Sequence, residues 1–321
     1  MKYKEAGVDI EKADFFKKFI KNKIKEIGGF SGLFPIPDTD YLIAASVDGV
    51  GTKLKIAQKL GIHNTVGQDI VNHCVNDIIC CGATPIFFMD YIAMGKLIPE
   101  IAKDIVEGII KACEENNLKL LGGETAEMPG FYNEGEYELV GFITGLVKKN
   151  EIIDGSKIKE GDAVIGLKSS GLHTNGYSLV RKIIADKNIA LTKYFEEFGC
   201  TIGEELLKIH KSYLKEFLKV KKYLKGIAHI TGGGFYGNIP RILPENLSCR
   251  IRVNWEIPPV FKFIEKEGNV EKEEMFRVFN MGIGIVFVVD KEDKDKVLSK
   301  LRDAILIGEI IKGEKNVIIC D

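Results

Sequence analysis

No apolar stretch in this chain approaches the roughly 20 residues needed to cross a bilayer, so a membrane-spanning helix is excluded. The first 20 residues are charged and contain no apolar core segment, which predicts no secretory leader. An excess of one charge sign is missing as well, since 45 basic residues face 46 acidic ones. That balance argues against nucleic acid or a membrane surface as partner. Seven cysteines lack any paired metal-type spacing, and Cys80 and Cys81 are adjacent. Adjacent thiols suit neither zinc chelation nor an ordinary disulfide, so reduced thiols in a cytoplasmic protein are expected. Heptads, low-complexity tracts and fixed-period repeats are absent, which excludes coiled coils and solenoids.

What is present reads as a globular protein. With 321 residues, two domains are expected, each large enough for its own core. Strands and helices alternate irregularly, so the fold class is α+β rather than a doubly wound parallel sheet. The periodic segments break near residues 150–160, dividing the chain into 1–155 and 156–321. Helices are expected near 11–27, 53–61, 65–81, 98–116, 203–224, 258–267 and 271–279. Strands are expected near 86–93, 118–121, 137–147, 162–167, 282–289 and 304–320.

Three stretches carry chemistry. An apolar run from Tyr41 to Val47 ends on Asp48, followed by Gly49, Gly51, Thr52 and Lys53. A strand would deliver a carboxylate to its end, and a glycine turn entering a helix would expose N–H groups to an anion. An ordinary strand–turn–helix would look the same. In the helix predicted over 65–81, Asp69, Asn72, His73, Asn76 and Asp77 fall in an arc of roughly 140°. Short oxygen-bearing side chains in one stripe suit magnesium or ordered water; the alternative is a plain exposed face. Finally, the predicted strand 118–121 empties into Gly122-Gly123-Glu124-Thr125, a close backbone approach beside a carboxylate. Two further loops are glycine-rich. The segment 28–34 contains Phe30 and Phe34 and is either a lid or a loop pinned by its aromatics. Gly232-Gly233-Gly234 opens a short helix that carries Arg241, a possible anion cradle.

These stretches resemble, in order, the phosphoribosylformylglycinamidine cyclo-ligase (AIR synthetase) family. The resemblance rests on YKEAGVDI at 3–10, DGVGTK at 48–53, VNDI at 75–78, GGETAEMPGFY at 122–132, EIIDGS at 151–156, SSGLHTNGYSLVRKI at 169–183, AHITGGGF at 228–235, NIPRILP at 238–244 and MFRVFNMGIG at 275–284. It covers almost the whole chain, and GGETAEMPG is its most specific part. The family commonly has glycine where Ser31 stands and serine where Thr174 stands.

The resemblance implies a homodimer whose N-terminal strands form a shared β-barrel, followed by a sandwich-like C-terminal α+β domain. It implies ATP and Mg2+ as cofactors and formylglycinamidine ribonucleotide as substrate. It assigns Asp48, Asp77, Asp69 and Glu124 to the metal. The ATP side would comprise Asp48, Gly49, Gly51, Thr52, Lys53, Asp69, Gly122, Gly123, Glu124 and Thr125. The substrate side would comprise Ser170, His173, Asn175, Gly232, Gly233 and Gly234. Lys53, His173 and His229 would be the catalytic groups, with both histidines open to a purely structural reading. Related ATP enzymes fit less well. Residues 1–40 lack the cysteine of a selenophosphate synthetase, the chain ends Val317-Ile318-Ile319-Cys320-Asp321 rather than in a Pro-Arg-Ile-Cys tail, and the glutamine-dependent synthetase is much longer. A dimer that merely binds nucleotide is the non-enzymatic alternative.

Overall fold

The computed structural model describes residues 1–24 and 29–320. Ile27 and Gly28, expected at the end of the first helix, lie outside the described residues. The N-terminal half runs α1 (Ile10–Lys23), β1 (Gly32–Pro35), β2 (Tyr41–Gly49), α2 (Leu54–Leu60), α3 (Asn64–Ile79), β3 (Thr84–Met94), α4 (Pro99–Glu115), β4 (Lys119–Glu127) and β5 (Tyr137–Lys148). The C-terminal half runs β6 (Ala163–Lys168), α5 (Tyr177–Asp186), β7 (Tyr194–Phe195), β8 (Cys200–Thr201), α6 (Ile202–Leu206), α7 (Leu214–Val220), β9 (Leu224–His229) and α8 (Gly234–Asn238). It closes with β10 (Leu247–Arg252), α9 (Pro259–Gly268), α10 (Lys272–Val278), β11 (Ile283–Val289), α11 (Lys294–Lys300), β12 (Ala304–Lys312) and β13 (Val317–Cys320).

Each half has its own sheet, in keeping with a two-domain α+β fold. The first has the order β1-β2-β5-β3-β4, antiparallel except for the β3–β4 pair. Helix α3 lies against its inner face and is buried almost all round. Two glycines let α4 pack onto α3. A Cβ on Gly67 would sit 2.1 Å from the Ile105 carbonyl, and one on Gly108 would sit 2.1 Å from that of Asn64. The second sheet has the order β13-β10-β12-β6-β11-β9, with β6 and β11 at its buried centre. The N-terminal arm packs on this second half, where the Tyr3 N–H donates to Glu274 Oε1 at 2.8 Å.

Several expected elements differ. The segment after Leu121 is not a loop, because β4 continues to Glu127, paired with β3 from Gly122 onward. Gly123 is required there because a Cβ would meet Asp90 at 2.5 Å. The long helix over 203–224 is broken into α6 and α7 by residues 207–213, whose groups bond to α3 instead of to one another. The strand over 304–320 is two strands with different partners, since β12 pairs antiparallel and β13 parallel to β10. Phe15, Phe16 and Phe19 of α1 are exposed.

The outer face of the first sheet is apolar and uncovered in the single chain. Register places Phe34, Val47, Phe142, Met89 and Tyr91 on that face, and all five are exposed. Among the described residues, no helix is long and apolar enough to cross a membrane.

Candidate functional site

A cavity of about 490 Å³ opens where the two halves meet. The N-terminal half contributes Gly29–Gly32, Ala45–Asp48, His73 and Asp77; the C-terminal half contributes Asn175, Thr231, Gly232 and Arg241. Strand β2 delivers Asp48 to its end, as its apolar run implies, and the Gly49 N–H donates to Asp48 Oδ1 at 2.7 Å. Asp77 enters from α3, one turn beyond His73. Arg241 spans the opening. Its guanidinium lies 4.9 Å from the Phe30 ring centroid and donates to the Gly29 carbonyl. Phe30 thus ties the glycine-rich segment to the C-terminal half, whereas the other aromatic of that segment, Phe34, is exposed.

The polar arc of α3 proves to be neither a solvated face nor, as a whole, a ligand face. Asp69, Asn72, His73, Asn76 and Asp77 are all buried. Three of them clasp residues 207–213. Asp69 Oδ1 accepts from the His210 N–H at 2.7 Å, Asn72 donates to the His210 carbonyl at 2.7 Å, and Asn76 donates to that of Lys211 at 2.8 Å. This absence of long charged side chains was the signal of an inter-domain seam.

Lys53 and Asp69 are spent on each other. Their charged atoms lie 2.7 Å apart with no exposed side-chain surface, and Lys53 Nζ also donates to the Lys208 carbonyl. Burial holds the Lys53 pKa below and the Asp69 pKa above their ordinary values, against the attraction between them. In place of the expected contacts of Lys53 with phosphates and of Asp69 with a metal, the two form a buried brace in the single chain. Glu124 stands apart from the cavity within the single chain. It lies opposite Tyr91 on the outer face, whereas Asp48 faces α3, so the sheet separates the two carboxylates. Gly122, Gly123 and Thr125 share that edge strand and do not line the cavity. Gly49, Gly51 and Thr52 sit at the end of β2, outside the cavity lining, with Thr52 Oγ1 3.1 Å from Ser178 Oγ.

On the other wall, Asn175 and Gly232 face the cavity. Gly233 and Gly234 are buried at the start of α8. A Cβ on Gly234 would sit 2.0 Å from the Phe276 carbonyl, so packing explains that glycine. Ser170 donates to the Ile209 carbonyl. His173 and His229 are buried behind the cavity in a cluster that includes His210, a residue not singled out in the sequence because it fell inside an expected helix.

His73 joins the cavity to this cluster. Its Nε2 lies 3.0 Å from Asp48 Oδ2, and its Nδ1 lies 2.7 Å from Thr174 Oγ1. Burial alone would lower its pKa, but Asp48, Asp77 and Asp69 raise it to about 9. The neutral partners contrast with it, because burial holds His173, His210 and His229 below the ordinary value. His73 is thus charged at neutral pH, and the Asp48 pKa is held down by it despite burial. Because the folded pKa exceeds the unfolded one, the His73–Asp48 pair stabilises fully below the unfolded value and fades as pH rises through about 9. With Asp48 nearly half exposed, that contribution is about 2 kcal/mol. Urea unfolding of magnesium-free protein should show His73→Gln less stable by that amount near pH 6 and equal to wild type near pH 10. A difference independent of pH would show His73 to be uncharged.

Carboxylate oxygens are hard donors that fit a magnesium ion. Among the described residues, Asp48 and Asp77 are the two carboxylates that line the cavity.

Two family models match this chain: the AIR synthase related protein N-terminal domain over residues 31–147 and the corresponding C-terminal domain over residues 159–321. The chain is 50% identical over 337 residues to the phosphoribosylformylglycinamidine cyclo-ligase of Alkaliphilus oremlandii, covering 99% of each. It is 51% identical to the phosphoribosylformylglycinamidine cyclo-ligase of Caldanaerobacter subterraneus, with 99% of this chain and 100% of the relative covered. Among solved structures, the thiamine monophosphate kinase of Aquifex aeolicus superposes with a TM-score of 0.66 at 16% identity, over 95% of both chains, a likeness of fold.

Proposed function

The chain belongs to the AIR synthase related family, and from that premise we propose how its cavity works. The enzyme is an ATP-dependent cyclo-ligase of purine biosynthesis. It closes formylglycinamidine ribonucleotide to 5-aminoimidazole ribonucleotide and releases ADP and phosphate. The formyl oxygen attacks the γ-phosphorus of ATP, and the P–O bond to ADP breaks. The substrate's own amine nitrogen then attacks the activated carbon, the C–O bond to phosphate breaks, and one proton is released. Such a reaction needs positioning and charge neutralisation more than a protein nucleophile.

The observation that carries the assignment is the meeting of Asp48, Asp77 and cationic His73 with Asn175, Thr231, Gly232 and Arg241 around one cavity. Asp48 and Asp77 would hold magnesium, which when bound supplies positive charge beside the transferring phosphoryl group. His73 holds Asp48 Oδ2 in place and adds charge of the same sign. Arg241 and the polar groups of Asn175 and Thr231 suit the ribose phosphate of the substrate. His229 Nδ1 donates to Asp77 Oδ1 at 2.8 Å and so orients that carboxylate. His173 and His229 are buried behind the cavity and do not line it, so we assign them positioning roles rather than proton transfer. Purified protein given formylglycinamidine ribonucleotide, ATP and magnesium should release one ADP per imidazole product. ADP release without the ribonucleotide, or none of the imidazole, would refute the reading.

The chain acts as a homodimer. Support comes from the exposed apolar outer face of the first sheet, an unsatisfied surface of the kind that closes against a second sheet. Glu124 and Thr125 would then lie at the seam and complete the nucleotide end of the site from that side. Phe142→Asp is expected to convert the dimer to monomer in sedimentation velocity, and an unchanged sedimentation coefficient would rule this face out.

A further inference from the structure

We propose that Tyr3 is a positioning residue for the cyclisation: through its phenol, the N-terminal arm holds the turn that presents Asn175 to the cavity. The inference rests on the assignment of Asn175 to the substrate. Residues 3–10 form the first block of the family resemblance, yet none of them lines that cavity. They nevertheless form a defined structure. Tyr3–Ala6 make one turn of 3-10 helix, and the Glu5 carboxylate accepts from the Lys2 N–H at 3.3 Å. Gly7 ends the turn at a φ of +88°, a conformation that favours glycine.

The arm meets the C-terminal half at discrete points. The Met1 ammonium donates to the Asn269 carbonyl at 2.9 Å, and the Tyr3 N–H donates to Glu274 as described above. A groove of about 810 Å³ runs between the arm and residues 269–277. The Tyr3 side chain reaches inward past that groove. Its ring packs against the core, the turn that carries it lies against α5, and its oxygen meets the backbone N–H of Gly176. Burial raises the Tyr3 pKa, so the phenol stays neutral and keeps lone pairs for that N–H.

Gly176 follows Asn175 and caps the N-terminus of α5, where an N–H has no acceptor inside the helix. Its φ is +81°, and a Cβ there would lie 2.0 Å from the Phe279 ring. Phe279 therefore closes on the Cα of this residue while Tyr3 closes on its N–H. The Asn175 amide itself lies 3.5 Å from Thr174 Oγ1, too far to fix it, so the backbone beneath sets where it points. Glu274 carries the arm's second contact toward the same wall. Its helix, α10, packs on α8, with the Arg277 guanidinium 5.7 Å from the Tyr236 ring centroid. The arm thus supports the segments that bring both Asn175 and Gly232 to the cavity. The rival role is stability alone, an arm that merely covers apolar surface.

Tyr3→Phe keeps the ring and removes the oxygen. It should raise the KM for formylglycinamidine ribonucleotide about 5-fold, the loss of one hydrogen bond, while kcat and the KM for ATP stay near wild type. In an Asn175→Ala background the same change should have no further effect on that KM. Hydrogen exchange of the ligand-free variant should quicken at Gly176 and its neighbours and stay unchanged in α4. A contact serving stability alone would shift the urea midpoint and leave both KM values in place, and that result would overturn the proposal. So would unaltered exchange at Gly176, or a KM effect that persists in the Asn175→Ala background. If Asn175→Ala by itself also leaves the ribonucleotide KM unchanged, the substrate assignment of Asn175 falls too, which separates the two failures.

Discussion

Asp48→Asn should cut magnesium-dependent cyclisation by roughly 10³-fold, a loss of about 4 kcal/mol in transition-state stabilisation. An amide keeps the shape of the side chain but loses the charge that a hard cation requires. It also leaves His73 without its nearest counter-charge, since the two groups stand 3.0 Å apart. The fold should survive, because Asp48 lines the open cavity and its side chain is nearly half exposed. Steady-state kinetics across magnesium concentrations, paired with sedimentation and urea unfolding, separates these effects. Wild-type turnover in the variant would remove Asp48 from the metal shell. Equal loss in Asp77→Asn would support a shared ion, because both carboxylates meet at the same cavity.

Lys53→Met should destabilise the folded protein by about 3–5 kcal/mol, because it strands Asp69 as an unpaired carboxylate in a fully buried seam. Adding Asp69→Asn should recover most of that loss. The amide oxygen still accepts from the His210 N–H, and no net charge remains buried. Chemical unfolding of the two single variants and the double variant forms a closed cycle. The double variant also separates two roles for Lys53. As a brace, it can be replaced and the enzyme still turns over; as a phosphate ligand, it cannot, however well the double variant folds. A folded but inactive double variant would return Lys53 to the nucleotide site.

The contrast between these two lysine roles shows where sequence reasoning runs out. A lysine after a glycine turn has the spacing of a phosphate ligand, and spacing is local. Whether its Nζ points to solvent or into a seam depends on residue 69, 16 positions on, and on the Lys208 carbonyl from the other half. His210 escaped notice for the same reason. Residues 203–224 have helical periodicity, but Asp69, Asn72 and Asn76 offer the backbone of 207–213 bonds that compete with helical ones. The Gly-Gly-Glu stretch looked like a loop because glycine is rare in strands. It is a strand because Asp90 on β3 leaves no room for a side chain at Gly123.

The α+β class, most of the elements and the family were legible in the chain, because hydrophobic period, turn chemistry and motif order are properties of neighbours. Asp48 and Asp77 were legible for a related reason: one ends an apolar strand, and the other lies on the polar stripe of a helix whose period is fixed. Which polar residues would be free for chemistry was not legible. The same stripe holds a cavity carboxylate, a braced ion pair and two amide clasps, told apart only by what the second domain brings against each. The amide clasps are contacts between residues more than a hundred positions apart, and no local pattern encodes those.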